Sequence, residues 1–176
     1  MQTAPSVSFP GLWDFSLECY ARPGVADICL HLQDEQGVNV NLLLWCAWLD
    51  ARGLMLDAAR LHNAQKRIRG WDEHYVIPLR QLRRRMKVEF GVDDDGIEAV
   101  RARIKQAELL AEKQLQYWLE AIVPSWNDNY GVSVNPPADW SNVRFYLHHM
   151  SVTDVAISQL LELLARDTDS SAAAFT

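Results

Sequence analysis

The residues best suited to chemistry in this sequence are cations concentrated in one segment. Eight of the 17 Lys and Arg residues lie between Lys66 and Lys87, where only two residues are acidic, so this segment carries +6 and the rest of the chain −12. On a helix with 100° per residue, Arg80, Arg83, Arg84 and Lys87 share one arc. Cations grouped in this way bind carboxylates and phosphates. The pattern predicts a binding surface for an acidic protein partner, with RNA as a lower-ranked alternative.

The same arc also has a purely structural interpretation. The side of the helix away from the arc carries an apolar stripe, formed by Tyr75, Leu79, Leu82, Met86 and Phe90. This stripe would pack on a neighbouring helix and leave the cations facing solvent. Acidic residues of that neighbour, such as Glu108 and Glu112, would then balance their charge. The sequence leaves both interpretations open.

A second candidate site combines aromatic and polar side chains. A long segment, 123–138, is rich in Pro and Asn and is predicted to be a loop, and loops of this length often carry function. The possible pocket lies between this loop and the helix predicted at about 40–52. Its candidate lining residues are His31, Asn41, Trp45, Trp126, Asp128 and Tyr130. The alternative function is therefore a small-molecule binding protein or an enzyme, although the same aromatic residues could simply anchor the loop.

The common patterns of catalytic and metal sites do not occur in the sequence. Cys19, Cys29 and Cys46 lack C-x-x-C spacing and lie in apolar helical contexts, where a thiol is most simply a small hydrophobic group. The five His residues form no metal-binding pair with helical spacing. The acidic run 93–98 lacks the ligand spacing of a calcium loop and suits a helix N-terminus. We therefore assign no catalytic residue, metal or cofactor and do not predict an enzyme.

Size and composition are those of one helical domain without a membrane span. The chain has 176 residues, of which 49% are hydrophobic, and its net charge is −6. Its longest nearly apolar stretch, 40–49, is far shorter than the roughly 20 residues that cross a bilayer. The first ten residues contain no Lys or Arg, so we expect no secretory signal there. These features predict a cytoplasmic protein with no membrane partner.

Apolar spacings of three and four residues predict an all-α fold of about seven or eight helices. The predicted helices cover about 11–22, 25–36, 40–52, 56–68, 71–90, 95–122, 139–150 and 153–166. The third should be the buried centre, because its apolar side chains point in all directions. Gly70 should separate the fourth and fifth helices, and Pro78 should kink or divide the fifth. Residues 71–122 should form a long antiparallel hairpin.

The expected organisation is a single domain with two flexible ends. Residues 1–10 are predicted to be a flexible N-terminus, 11–166 a single helical domain, and 167–176 a disordered tail. The apolar stripe of the 95–122 helix could be used inside the domain or shared in a homodimer. The sequence leaves the oligomeric state open.

The chain resembles an uncharacterised family of short proteobacterial proteins over roughly residues 10–120. The resemblance is carried by Leu12-Trp-Asp-Phe-Ser-Leu17, Gly24-Val25, Cys29-Leu-His-Leu-Gln-Asp34, Val40-Asn-Leu-Leu-Leu44 and Pro78-Leu-Arg-Gln-Leu-Arg-Arg-Arg85. It implies an all-helical bacterial protein and brings no established activity or catalytic residue. The leading hypothesis is therefore a non-enzymatic interaction or regulatory protein that presents its basic helix face to an acidic partner.

Overall fold

A computed structural model describes residues 9–126 and 139–165, and every regular element in these ranges is helical. The α-helices are α1 (Leu12–Tyr20), α2 (Val25–Gln36), α3 (Val40–Ala51), α4 (Ala58–Trp71), α5 (Ile77–Phe90), α6 (Asp95–Ile122), α7 (Ser141–His149) and α8 (Asp154–Ala165). A π-helical turn, Asp72–Val76, joins α4 to α5, and a 3₁₀ turn, Val123–Trp126, follows α6. The all-α class predicted from the sequence is confirmed.

The described residues divide into two compact units. The first contains residues up to Leu56 together with those after the 127–138 segment, and the second runs from Asp57 to Trp126. That both belong to one domain over 11–166 stays a prediction. The predicted tail, 167–176, and residues 1–8 of the predicted flexible N-terminus lie outside the described residues. The last two residues of that terminus are anchored: the Phe9 ring lies 6.5 Å from that of Trp48, and the carbonyl of Pro10 accepts a hydrogen bond from Trp48 Nε1.

Helix α3 forms the core of the first unit, as predicted. All of its residues are buried, including Trp45 and Trp48. Its N-cap is Asn39, whose side chain accepts a hydrogen bond from the backbone N–H of Leu42 at 3.1 Å. Helices α1 and α7 pack on α3, while α2 packs on α8. A helix with apolar side chains all around its axis must be covered by its neighbours, and α1, α2 and α7 all contact α3.

The second unit is a helical hairpin in which α4, the π-helical turn and α5 run along α6. The predicted break at Gly70 is wrong, because α4 continues through this residue to Trp71. A glycine inside a helix costs only about 1 kcal/mol relative to alanine. Packing offsets this cost, since Ile68 is buried and Trp71 Nε1 donates to the carbonyl of Ala111 on α6 at 2.9 Å.

The interruption occurs instead at the π-helical turn. Pro78 is the second residue of α5, directly after this turn. Its ring lacks an N–H and crowds the preceding turn of a regular helix. In the π-helical turn the N–H of Ile77 bonds to the carbonyl of Asp72, five residues earlier. This wider turn lets the helix pass Pro78 without ending, and π-helical turns are frequent at functional sites.

Helix α6 begins at Asp95, the predicted start, and forms the other side of the hairpin. The side chain of Asp94 accepts hydrogen bonds from the N–H groups of Gly96 at 2.9 Å and Ile97 at 3.0 Å. The acidic run is therefore explained by helix capping, as the sequence favoured. Near the other end of α6, Trp118 lies edge-on to Trp71, and the guanidinium of Arg67 lies 4.5 Å from the centre of its ring. These contacts hold α4 against α6.

Candidate functional site

The part of the hairpin that contains the predicted basic surface has almost no core. We call residues 77–107 the hairpin arm: it comprises α5, the connecting turn and the first half of α6. Throughout this range, all of which the structure describes, no residue is buried. The apolar stripe of α5 is only half-buried at Leu79, Leu82 and Met86, and on the α6 side Ile97 and Ile104 are also half-buried. The arm therefore has an apolar seam that its own two helices cover only in part.

The base of the arm is fastened to α6 by an ion-pair cluster. Arg80 donates from Nε to Glu108 at 3.2 Å and from Nη2 to Glu112 at 2.6 Å. Arg83 makes a two-pronged contact with Glu108, with Nε donating to Oε2 and Nη2 to Oε1. The side chain of Glu108 is only 6% exposed. Charged hydrogen bonds of this geometry are among the strongest polar contacts in proteins, so the cluster ties α5 to α6.

The environment of this cluster affects how readily its groups titrate. The hydrogen bonds to Glu108 raise the pKa of Arg83 above its usual range. Burial raises the pKa of Glu112, although the nearby Arg80 opposes this effect. Because a guanidinium stays charged at any physiological pH, the arginines remain cations and hold both carboxylates in place.

The four predicted partner-binding cations have different surroundings. Arg80 and Arg83 lie against α6, whereas the sequence projection placed them on the side of the helix that faces solvent. Arg84 is half-buried and Lys87 is exposed. Arg85, which the projection excluded from the arc, is 67% exposed and lies 3.8 Å from Glu89. Binding of an acidic partner by these residues stays a prediction, and Lys87 is the one of the four whose side chain is exposed.

Large apolar side chains are exposed near the tip of the arm. Val88 is 85% exposed and Phe90 is 56% exposed. Val92 in the turn and Val100 on α6 are more than half exposed as well. Val100 belongs to the apolar stripe predicted for α6, so that stripe is not fully used inside the unit. Phe90 belongs to the predicted apolar stripe of α5, and Val88 lies on the other side of this helix.

The predicted pocket residues are found in different environments. His31 is exposed on α2, whereas Asn41 and Trp45 are buried in α3. Trp126 is half-buried, and the guanidinium of Arg60 lies 4.4 Å from the centre of its ring. Asp128 and Tyr130 lie outside the described residues. A pocket between the 40–52 helix and the 123–138 loop, and with it the small-molecule or enzyme alternative, stays a prediction.

Sequence reasoning missed a buried carboxylate that caps a helix far away in the chain. Asp50 in α3 accepts hydrogen bonds from the N–H groups of Asn142 at 3.0 Å and Val143 at 3.1 Å, and from the hydroxyl of Ser141 at 3.3 Å. The residue at the N-cap position of α7 is Trp140, whose side chain cannot accept such bonds. Asp50 therefore caps α7 from another helix. The available signal was the single carboxylate in a helix that is apolar except for this residue and Asn41.

The side chain of Asn142 extends this polar contact to the chain that follows α3. Its Oδ1 accepts a hydrogen bond from the N–H of Leu56 at 2.8 Å, and its Nδ2 donates to the carbonyl of Leu54 at 2.7 Å. Asn142 thus satisfies two buried backbone groups of an irregular segment. Apart from the hydroxyl of Ser141, the hydrogen-bond partners of Asp50 and Asn142 are backbone groups. The pair therefore holds α7 in place and has the geometry of a structural site.

The stability of the fold should depend on pH through Asp50. Burial raises the pKa of this carboxyl from 3.8 to about 6, against the lowering effect of its hydrogen bonds. Between these values the folded state keeps a proton that the unfolded state releases, so the free energy of unfolding falls as the pH rises from about 4 to about 6. Two pKa units correspond to about 3 kcal/mol.

An asparagine at this position cannot titrate, so Asp50→Asn removes the contribution of this carboxyl to the pH dependence of the free energy of unfolding. Urea unfolding of both proteins across this pH range should show the wild type losing up to about 3 kcal/mol relative to the variant. Because other titrating groups are common to both proteins, they cancel in the difference. If the free energy of unfolding changed equally with pH in both proteins, Asp50 would not be the source of the pH dependence.

The cysteines lie in environments that disfavour the reactive thiolate. Cys19, Cys29 and Cys46 are buried free thiols. Burial raises the pKa of Cys19 to about 11 and that of Cys29 to about 12, and it raises the pKa of Cys46 well above its usual value. A buried thiol that stays protonated packs as a small hydrophobic group, in keeping with the structural role expected from the sequence.

The described ranges, 9–126 and 139–165, contain neither a metal cluster nor a membrane-spanning helix. Within them, no three His, Cys, Asp or Glu side chains come together as a metal site would require. No helix in these ranges has both the length and the apolar character needed to span a membrane.

Comparison with known proteins identifies a family. The model of a family described as a protein of unknown function (DUF2390) matches residues 11–119, which include α1 to α5 and most of α6. No curated protein and no solved structure matches the chain significantly. The match contains both Asp50 and the hairpin arm, and it ends before α7. Because it covers more than half of the chain, this protein belongs to that family of unknown function.

Proposed function

We propose that this chain is a non-enzymatic interaction protein that binds an acidic protein partner through the hairpin arm. The observation that carries this proposal is the absence of any buried residue over 77–107, a segment whose apolar seam is only half-buried. Most of the stability of a helix in a protein comes from burial of its apolar face against other elements. The arm has this face, and a partner would complete its burial.

The exposed apolar groups offer a substantial gain in free energy on binding. Full burial of a Val or Phe side chain contributes about 1.5 to 3 kcal/mol. Val88 is 85% exposed, so a partner that covered it would recover much of this amount. Aromatic and arginine side chains are also the residues that most often dominate the energy of protein interfaces. The tip of the arm therefore has the chemistry of a contact surface.

The charge around Val88 favours an acidic partner. Arg84 and Lys87 lie on the same side of α5 as Val88, within about 100° on a helical projection. Arg80 and Arg83 belong to the base of the arm, where their contacts with Glu108 and Glu112 position α5. Cations beside an apolar contact speed association and select partners of opposite charge. In this proposal, Arg84 and Lys87 contact the partner and Arg80 and Arg83 support the surface.

Photocrosslinking in the cells that produce this protein tests the proposal. A benzophenone amino acid placed at Val88 should form a specific adduct with a protein, because the side chain there is exposed beside the cations. The matched control is the same amino acid at Val155, a valine on α8 that is 69% exposed and lies outside the arm. We expect an adduct from position 88 that position 155 does not give, attached to an acidic segment of the partner.

Charge reversal supplies a second readout. Arg84→Glu with Lys87→Glu should lower the yield of the position 88 adduct by about tenfold or more, while the helical circular dichroism stays unchanged. Equal adducts from positions 88 and 155, or a yield that ignores charge reversal, would contradict the proposal. An adduct at position 88 that ribonuclease removes would favour RNA as the partner instead.

A further inference from the structure

The apolar seam of the arm continues beyond its base into a cluster of aromatic rings. Trp118 and Val100 lie on one line along α6, because about five full helical turns separate them. The ring centres of Trp118 and Trp71 are 5.3 Å apart, and those of Trp71 and Tyr75 are 4.5 Å apart. Tyr75 is 53% exposed, whereas both tryptophans are half-buried. We call the seam together with this cluster the apolar face of the hairpin.

The shape of the apolar face suits one further helix. Two antiparallel helices that pack side by side, as α5 and α6 do, leave a groove along their common face. An amphipathic helix can place its apolar stripe in a groove of this kind. On a helical projection, Ala107 and Ala111 of α6 lie close to the line of Trp118, so small side chains leave room for a helix to approach. The stretch of α6 from Arg103 to Trp118 is about 22 Å long, which a helix of about 15 residues covers.

Two arginines border the apolar face. Arg67 is exposed, and its guanidinium lies 4.5 Å from the centre of the Trp118 ring. Arg103 is exposed as well and lies about 60° beyond Val100 on the helical projection. Its Nη1 donates to the amide oxygen of Gln106 at 3.0 Å. Among the described residues, neither guanidinium forms an ion pair with a carboxylate, so both keep donors for the carboxylates of a partner.

The α5 edge of the apolar face adds no net charge. Arg85 and Glu89 lie on this edge, 3.8 Å apart, and balance each other. The two edges together are therefore positive, through Arg67 and Arg103. Charges of opposite sign on a partner would match them.

The surroundings of Arg67 prepare it for binding. Its flat side covers the Trp118 ring, while its N–H donors lie in the plane of the guanidinium and point outward from its edge. A guanidinium held against a ring loses less freedom when it binds a carboxylate. Trp, Tyr and Arg are also the residues that most often dominate the energy of interfaces. We therefore expect Arg67 and the aromatic cluster to contribute most to binding.

We propose that the apolar face binds an amphipathic helix of about 15 residues, whose apolar stripe fills the groove and whose carboxylates bond to Arg67 and Arg103. This inference rests on the proposed function, because it states which form the acidic partner takes where it covers the seam. Val88 lies on the other side of α5, so this contact is separate from the one made there. A helix of this length ends at Arg103, before the acidic run 93–95 at the tip.

Two synthetic peptides and the purified full-length protein provide the first test. The Glu peptide carries leucines at spacings of three and four with glutamates on both flanks, and the Lys peptide has lysine in place of every glutamate. Because the chain has a net charge of −6, its overall charge favours the Lys peptide, and only local cations can reverse this order. Fluorescence anisotropy should show a micromolar Kd for the Glu peptide and a Kd at least about tenfold higher for the Lys peptide.

Salt should reduce the difference between the two peptides, because exposed charges are screened. Equal affinity for both peptides would overturn the inference. So would the absence of binding of the Glu peptide at about 1 mM protein.

Charge reversal tests where the peptide binds. Arg67→Glu with Arg103→Glu should weaken binding of the Glu peptide by about tenfold or more and strengthen binding of the Lys peptide. The matched control is Lys66→Glu with Lys105→Glu, which changes the net charge equally on the same two helices. Both lysines are exposed, and on a helical projection they lie on other sides of α4 and α6. Equal losses in the two double variants would contradict the proposed position.

Arg103→Glu alone gives a reading that does not depend on packing. Arg67 also contacts the Trp118 ring, so its replacement could loosen α4, whereas Arg103 contacts only the exposed side of α6. The single variant should still weaken binding of the Glu peptide by about threefold or more and keep the helical circular dichroism of the wild type. An unchanged affinity would remove Arg103 from the site and overturn the placement of the helix.

Two other outcomes separate this inference from the proposed function. A dimer of the protein that excludes the Glu peptide would place a second copy on the apolar face and overturn the inference. If the Glu peptide failed to bind while position 88 still formed its charge-dependent adduct, the inference would fall and the proposed function would stand. The two failures are therefore distinguishable.

Discussion

Asp50→Ala should destabilise the protein by about 3 to 5 kcal/mol at neutral pH, although it removes a group whose burial is itself unfavourable. The N–H groups of Asn142 and Val143 and the hydroxyl of Ser141 would lose their acceptor. A buried donor left without a partner costs about 1 to 3 kcal/mol. Removal of the buried carboxylate relieves part of this cost, which is why the effect stays below the sum of the three.

The measurement is urea unfolding followed by circular dichroism, combined with hydrogen exchange of the α7 amides. These amides should exchange much faster in the variant, because α7 loses its cap. Asp57→Ala is the matched control, since Asp57 also caps a helix, α4, through the N–H of Arg60 at 2.8 Å but does so in solvent. We expect about 1 kcal/mol for this control. If Asp50→Ala lowered the free energy of unfolding no more than Asp57→Ala does, burial of the cap would not explain the size of the effect.

Glu108→Gln should cost about 2 kcal/mol, because it leaves two arginines at the base of the arm without their shared carboxylate. Arg80 and Arg83 both donate to Glu108. Removing one partner of a fully buried ion pair costs about 3 to 5 kcal/mol. The arginines here keep partial contact with solvent, and glutamine still offers one acceptor oxygen, so the expected loss is smaller.

Glu89→Gln is the control that tests whether the loss of stability in Glu108→Gln depends on the burial of the ion pair. Glu89 lies 3.8 Å from Arg85, and both side chains are more than half exposed. Exposed pairs of this kind contribute about 0.2 to 1 kcal/mol at most, so this variant should unfold at nearly the same urea concentration as the wild type. The Glu108 effect should also persist in high salt, which screens exposed pairs more than partly buried ones. Two variants of equal stability would rule out the ion-pair cluster as the fastening of the arm.

The basic arc shows where the prediction of the site reached its limit. Helical periodicity correctly placed Leu79, Leu82 and Met86 on the side of α5 that is half covered. It could not show that the neighbouring helix would present Glu108 and Glu112 to the edge of that stripe, because periodicity gives the width of an apolar face and not the position of its neighbour. The purely structural interpretation had identified both carboxylates. The structure adds that they draw Arg80 and Arg83 against α6.

The spacing of residues along one helix also could not predict contacts between residues that are far apart in the sequence. Asp50 and Asn142 are separated by 92 positions, and no spacing rule links a carboxylate in one helix to the N-terminus of another. Gly70 was expected to end a helix, since its effect on the isolated chain is unfavourable, but the packing of Ile68 and Trp71 outweighs that effect. Tertiary contacts of this kind regularly override local propensity.

Some properties of the basic arc therefore follow from the sequence, and others follow only from the tertiary structure. The sequence by itself determined the all-α class, the buried α3, the hairpin and the concentration of cations in α5, because each depends on composition or on the spacing of residues along one helix. Only the tertiary structure decided that Arg80 and Arg83 pair with Glu108 of α6 while Lys87 stays exposed. The reason is physical: burial and pairing of a side chain depend on what another part of the chain brings within a few ångströms of it.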